Sequence, residues 1–257
     1  MKFEGRLDKA IAKNKSLLCV GLDVDLTRVP HKYLDSEDPI FLFNRDIIDS
    51  TCEFVCAYKP NSAFYEMYGL YGLSAMVKTI NYIHEQGVPV ILDAKRGDVG
   101  HSSAAYAKSL FVAFKADATT VNPYMGYDSI KPFLDYHDKG TFILCLTSNA
   151  GAKNFQMKGA EEPLYKSVAR QVKAWDHYNN CGLVVGATKA EELQEVHEIV
   201  GNIPILIPGV GAQGGDLKSS VKFGGKRAII NASRSILYAK SPRTEAKKLR
   251  DKINKWR

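Results

Sequence analysis

Eight short apolar runs recur along the chain, at 17–22, 54–58, 88–92, 118–121, 141–146, 182–185, 203–207 and 228–230, with helix-length amphipathic segments between them. The runs are near-continuous in Val, Ile, Leu and Cys rather than alternating, as in parallel strands covered on both faces. The segments between them carry apolar residues at helical spacing: Ile40, Phe43, Ile47 and Ile48 in 39–53, Met76, Ile80 and Ile83 in 74–86, Leu193, Val196 and Val200 in 189–200. Strand–helix alternation over the whole length implies a parallel sheet, because parallel neighbours need crossover connections. Eight such units without a second domain predict closure into a (β/α)8 TIM barrel, one α/β domain spanning 1–257, with an open doubly wound sheet as the competing arrangement. The length of 257 residues suits the barrel, which typically takes ~250.

Hydrophobic residues make up 45% of the chain and charged residues 25%, enough apolar material for one globular core. No run approaches the ~18 apolar residues of a spanning helix, and the opening Met1-Lys2-Phe3-Glu4-Gly5-Arg6 has no apolar signal character. A cytoplasmic protein with no membrane partner is the expectation. The five cysteines, Cys19, Cys52, Cys56, Cys145 and Cys181, are odd in number, lie mostly in apolar stretches and lack Cys-x-x-Cys spacing. Reduced, buried thiols are therefore expected rather than disulfides or a zinc site. The net charge of +7 invites a nucleic-acid reading. Residues 240–257, however, hold eight basic and two acidic side chains, nearly the whole excess, with a helical stripe of Ala246, Leu249, Ile253 and Trp256. That is the pattern of a terminal amphipathic helix with a solvated basic face, and no nucleic-acid partner is expected.

On this fold chemistry sits at the carboxyl ends of the strands, so polar residues directly after an apolar run mark the functional face. Asp23 follows the first run, Lys59 the second, Asp93 and Lys95 the third, and Asn122 the fourth, while Thr147, Ser148 and Asn149 follow the fifth. With Asp98, two lysines and three aspartates are expected to converge on one mouth. Like charges crowded in a low-dielectric cleft are unfavourable unless function requires them. In the segment Asp93-Ala94-Lys95-Arg96-Gly97-Asp98, period-two alternation gives Asp93 and Lys95 a common direction, and Gly97 lets the backbone turn and carry Asp98 along another path. The carboxylates repel an anionic group beside them, and the ammonium can supply a proton. Such a row suits expulsion of a negative substrate group followed by protonation of the carbon left behind.

A phosphate site is expected at the ends of strands seven and eight, where barrels of this kind commonly build one. Pro208-Gly209-Val210-Gly211-Ala212-Gln213-Gly214-Gly215-Asp216 follows the seventh run, and its glycines allow close backbone approach to an anion. Asn231-Ala232-Ser233-Arg234-Ser235 follows the eighth, with Ser233 placed to cap a short helix and Arg234 available for bidentate contact. The six histidines are scattered and form no ligand pair, so neither metal nor cofactor is expected.

The Asp-Ala-Lys-Arg-Gly-Asp row, together with Gly21-Leu22-Asp23, Tyr58-Lys59-Pro60-Asn61 and the segment 231–236, closely resembles the bacterial-type branch of the orotidine 5′-phosphate decarboxylase family over almost the entire chain. The resemblance implies an enzyme that converts orotidine 5′-phosphate to UMP and carbon dioxide without metal or cofactor, the last step of de novo UMP synthesis. It implies that Lys59, Asp93, Lys95 and Asp98 form an alternating charged tetrad. In that tetrad Lys95 protonates the pyrimidine C6, Asp93 sits beside the departing carboxylate, and Lys59 bridges Asp93 and a ribose hydroxyl. Asp23 matches a ribose contact, Ser148 the residue that recognises the pyrimidine, with Asn149 a second candidate, and Gln213, Arg234 and the Ser233 amide the phosphate grip. The resemblance also implies a homodimer with shared active sites, Asp98 and Ser102 each entering the neighbour's site. The barrier then falls through electrostatic preorganisation around a developing C6 carbanion.

Two other readings compete. Metal-dependent sugar-phosphate decarboxylases or aldolases of the same barrel superfamily share an Asp-x-Lys-x-x-Asp row, but place an acidic metal ligand where this chain has Lys59, whose charge repels a cation. A non-catalytic nucleic-acid-binding barrel would need its basic residues at a binding face rather than in the terminal helix.

Overall fold

The computed structural model describes residues 1–210 and 216–257. Its eight strands are β1 (Leu18–Leu22), β2 (Ala57–Pro60), β3 (Ile91–Arg96), β4 (Ala118–Val121), β5 (Gly140–Leu146), β6 (Cys181–Val185), β7 (Ile205–Pro208) and β8 (Ala228–Ala232). They pair in parallel in the order β2-β1-β8-β7-β6-β5-β4-β3. The parallel bridges Tyr58–Val90 and Asn61–Asp93 join β2 to β3 and complete the circle. The fold is the expected (β/α)8 barrel. Every residue of β1, β2, β4, β6 and β8 is buried, because the inner faces fill the barrel while the outer faces meet helices. The apolar stripes anticipated on the helices Pro39–Thr51, Gly69–Glu85 and Ala190–Val200 are buried throughout.

The helix Phe3–Asn14 closes the end of the barrel opposite the mouth. It buries Phe3, Leu7 and Ile11, and the Phe3 ring stands edge-on to Phe142 at 5.7 Å. Ion pairs seal its rim. Arg6 Nη1 donates to Asp117 Oδ1 at 2.9 Å, while Asp117 Oδ2 meets His84 Nε2 at 3.0 Å and the Val90 amide at 2.9 Å. Arg227, just before β8, reaches back to Asp8 at 2.8 Å and to Glu4.

Strand boundaries differ from the apolar runs at the two places that matter most. The second run begins at Phe54, but Cys52–Phe54 is a 3-10 turn and β2 carries Lys59 and Pro60 inside its ladder. The third run ends at Leu92, but β3 continues through Asp93 and Lys95 to Arg96. A hydropathy pattern stops at the first charge, whereas a strand stops where backbone pairing stops. At the C-terminus the helix Pro242–Asn254 buries Ala246 and Ile253 and packs Leu249 against the core. Trp256 lies beyond its end, 47% exposed, with Lys218 Nζ 4.7 Å above its ring, so the stripe is one residue shorter than expected.

Candidate active site

At the carboxyl ends of β1, β2, β3, β7 and β8 lies a cavity of about 210 Å³, lined by Asp23, Lys59, Asn61, Asp93, Asn231, Ser233 and Arg234 with the backbone around Gly209. The seating of Ser233 and Asn231 in its wall depends on Gly21 in β1. A Cβ there would lie 2.0 Å from Ser233 Oγ and 3.2 Å from Asn231 Oδ1.

Asp93 is the hub. Lys59 Nζ donates to its Oδ2 at 2.9 Å, and Lys95 Nζ donates to its Oδ1 at 2.6 Å. Lys59 and Asp93 are buried, whereas the Lys95 side chain is 47% exposed. Burial opposes charge on both buried groups, yet both stay charged. Burial pushes the Lys59 ammonium down, but the Asp93 and Asp23 carboxylates outweigh it and hold Lys59 above the ordinary lysine value. Burial likewise raises the Asp93 carboxyl, and the Lys59 and Lys95 charges outweigh it, leaving Asp93 well below the usual carboxylate range.

Asp93 and Lys95 are brought together differently from the expected plain alternation. The β3–β4 register pairs Leu92 with Thr119 and Arg96 with Val121, so the three residues Asp93 to Lys95 bulge opposite Thr120 alone. Within this bulge Lys95 has φ +46°. Its direction toward Asp93 therefore comes from a turn in the backbone.

The expected convergence holds for Asp23, Lys59, Asp93 and Lys95, and for Ser233 and Arg234 across the cavity. It fails for Asp98 within one chain. The Asp98 carboxylate accepts from the Val99 amide at 2.7 Å, next to its own backbone, and pairs with no cation among the described residues. The left-handed backbone lies at Lys95 rather than at the anticipated Gly97, where the constraint is space: a Cβ there would lie 2.9 Å from the Asn122 carbonyl oxygen. Ser102 is exposed on the helix Gly100–Lys108. Ser148 is half-buried after β5 and packs against Gly186. Asn149 is exposed and accepts from Thr147 Oγ1 at 2.6 Å. Gln213 lies outside the described residues. Ser233 occupies the cap position of the helix Arg234–Leu237 but does not cap it with its side chain, because its backbone (φ −120°, ψ −89°) accompanies an Oγ packed over Gly21. Arg234 is exposed and forms no ion pair with a described residue.

Two residues of the site escape the sequence reading. Thr120 Oγ1 donates to Asp93 Oδ1 at 2.8 Å and accepts from the Lys95 amide at 2.9 Å. Asn231, read above only as part of the strand-eight segment, is buried with an Oδ1 that, like Asp23 Oδ1, accepts no hydrogen bond from a described residue. A hydroxyl or amide inside an otherwise apolar strand was the available signal. Among the described residues no three His, Cys, Asp or Glu side chains group as metal ligands, and no helix is long and apolar enough to cross a membrane.

Chemically, the mouth combines, among the described residues, an accessible ammonium fixed by a buried carboxylate, two acceptors without a donor and suited to hydroxyls, and a guanidinium without an ion pair and suited to an anion. The family described as orotidine 5′-phosphate decarboxylase / HUMPS matches residues 16–249. Proteins named orotidine 5′-phosphate decarboxylase from Dehalococcoides mccartyi and Ralstonia pickettii are 47% and 46% identical, over 100% of this chain and 99% and 100% of theirs. The solved OMP decarboxylase of Leishmania donovani superposes with a TM-score of 0.89 at 37% identity, over 100% of this chain and 98% of that one. The UMP synthase of the same organism gives a TM-score of 0.91 at 39% identity, over 100% of this chain but 56% of that one.

Proposed function

The chain belongs to the orotidine 5′-phosphate decarboxylase / HUMPS family as a decarboxylase, and on that premise we propose that its mouth converts orotidine 5′-phosphate to UMP and carbon dioxide with its own side chains alone. The observation that carries this reading is Asp93 bonded at once to buried Lys59 and accessible Lys95. Arg234, the Ser233 amide and Gln213 grip the phosphate. Asp23 and Lys59 hold the ribose, Ser148 reads the pyrimidine with Asn149 nearby, and the substrate carboxylate lies beside Asp93. The bond from C6 to the carboxylate carbon breaks, its electron pair stays on C6, and carbon dioxide leaves. A proton then moves from Lys95 Nζ to C6, and solvent returns a proton to the lysine. Preorganised charge lowers the barrier because these groups need not reorganise as the carbanion forms. Binding energy from the remote phosphate holds the ring in place.

In this reading all of 1–257 acts as one barrel domain, in the cytoplasm, at the last step of de novo UMP synthesis. Asp98 and Ser102 serve the partner's site in a homodimer. Supporting this, Asp98 pairs with no cation among the described residues, and Val99, Tyr106 and Tyr124 are exposed. The metal-dependent alternative is disfavoured by the Lys59 ammonium, 2.9 Å from the carboxylate a cation would need. The test is the loss of orotidine 5′-phosphate absorbance with purified protein, with and without EDTA. Activity that survives chelation supports the reading, and inactivity or magnesium dependence overturns it.

A further inference from the structure

Thr120 has no part in the scheme above, yet it touches both central residues. Its backbone lies in β4 opposite the bulge of Asp93 to Lys95, and it is buried. The Lys95 amide donates to Thr120 Oγ1 at 2.9 Å. An amide N–H can only donate, so the threonine's own proton is left for its other neighbour, Asp93 Oδ1, at 2.8 Å. Lys95 Nζ donates to that same Oδ1 at 2.6 Å. The contacts form a closed ring, from the Lys95 amide through Thr120 and Asp93 back to the Lys95 ammonium.

We propose that Thr120 is a positioning residue for proton delivery, its hydroxyl clamping the backbone of Lys95 to the carboxylate that aims its ammonium. The proposal rests on the reading of Lys95 as proton donor. The ring fixes the lysine at both ends, which matters because φ +46° is a conformation that side chains bearing a β-carbon rarely adopt unaided. Without the hydroxyl, the amide is orphaned inside the bulge and Asp93 Oδ1 loses the contact that orients it. The ammonium then keeps its charge and its carboxylate but not its place. Proton transfer is sensitive to such displacement, whereas the Ser233 and Arg234 phosphate grip lies across the cavity.

The experiment compares Thr120→Val, which keeps the shape and removes the hydroxyl, with Thr120→Ser, which keeps the hydroxyl. For Thr120→Val, kcat should fall by roughly 10- to 100-fold, the loss expected from one stranded hydrogen-bonding group. UMP affinity by calorimetry should stay within about threefold, since a ground-state contact is not removed. Thr120→Ser should recover at least about a third of the wild-type kcat. An unchanged kcat in Thr120→Val, an equal loss of kcat and UMP affinity, or a serine variant no better than Thr120→Ala would overturn the clamp. Should the valine variant not fold, the serine–alanine comparison alone decides. Wild-type turnover and its loss in Lys95→Ala are read in the same assay. Failure of either removes the proton-donor reading, while an active wild type insensitive to Thr120 removes only the clamp.

Discussion

Asp93→Asn removes one charge from the buried hub and keeps its shape, and the structure says which neighbour suffers. Lys95, with a half-exposed side chain, can turn to water, so its lost ion pair weighs no more than a surface contact, about 0–1 kcal/mol. Lys59 has no such exit and is left as a buried ammonium. Breaking a buried pair by removing one partner costs about 3–5 kcal/mol, and the lower figure applies here because Asp23 still favours the charge. In the wild type, Lys59 is held above its unfolded value, so its contribution is complete below about pH 10 and lost as pH rises through the folded value. Asp93 is depressed, so its contribution is complete above about pH 4 and lost as pH falls toward the folded value. The gap between the two proteins should therefore be widest between about pH 5 and pH 9. Urea unfolding followed by tryptophan fluorescence reads it directly: with a slope of about 3 kcal/mol/M, the Asp93→Asn midpoint at pH 7 should drop by about 1 M. Adding Lys59→Met removes the stranded charge and should restore most of the loss. An unchanged midpoint in the single variant, or a double variant as unstable as the single, would refute the reasoning.

Lys95→Ala should lower kcat by at least about 10³-fold, in the range of a lost proton donor, while UMP binding by calorimetry stays near wild type; a variant keeping a tenth of the rate contradicts the role. Mixing inactive Lys95→Ala with inactive Asp98→Ala subunits should restore partial activity through heterodimers carrying one intact site, and no recovery after verified subunit exchange counts against Asp98 acting across an interface. Arg234→Ala should reduce kcat as well as kcat/KM, because remote phosphate binding energy helps position the ring. A change confined to KM would make Arg234 a ground-state contact only.

The fold was legible because burial on both faces writes parallel strands as apolar runs. The run at 118–121 coincides with β4. Lys59 and Asp93 were legible as candidate site residues for the reason that misplaced their strands: each ends an apolar run, but each is buried within the ladder. Thr120 left only a faint signal, a hydroxyl within a strand, because its link to Asp93 and Lys95 comes from the bulge in β3, a tertiary register that no local pattern records. Ser233 misled through propensity. The residue type and position suit a helix cap, and contact with Gly21 on another strand overrode it. The departure of Asp98 from Lys95 was expected from Gly97, but the left-handed residue is Lys95 itself, inside the bulge.

The pairing of β1 with β8, and the reach of Arg227 back to Glu4 and Asp8, also bear on how the chain matures on the ribosome. Part of the floor can assemble early, since Arg6, His84 and Asp117 all emerge in the first half of synthesis. The rest waits for the final strand, leaving the edge of β1 unpaired until then. The charged hub of Lys59, Asp93 and Lys95 is translated long before the Asn231, Ser233 and Arg234 wall that faces it. A nascent or truncated chain thus carries these charges without a chamber. Closing the ring is the event that encloses the hub.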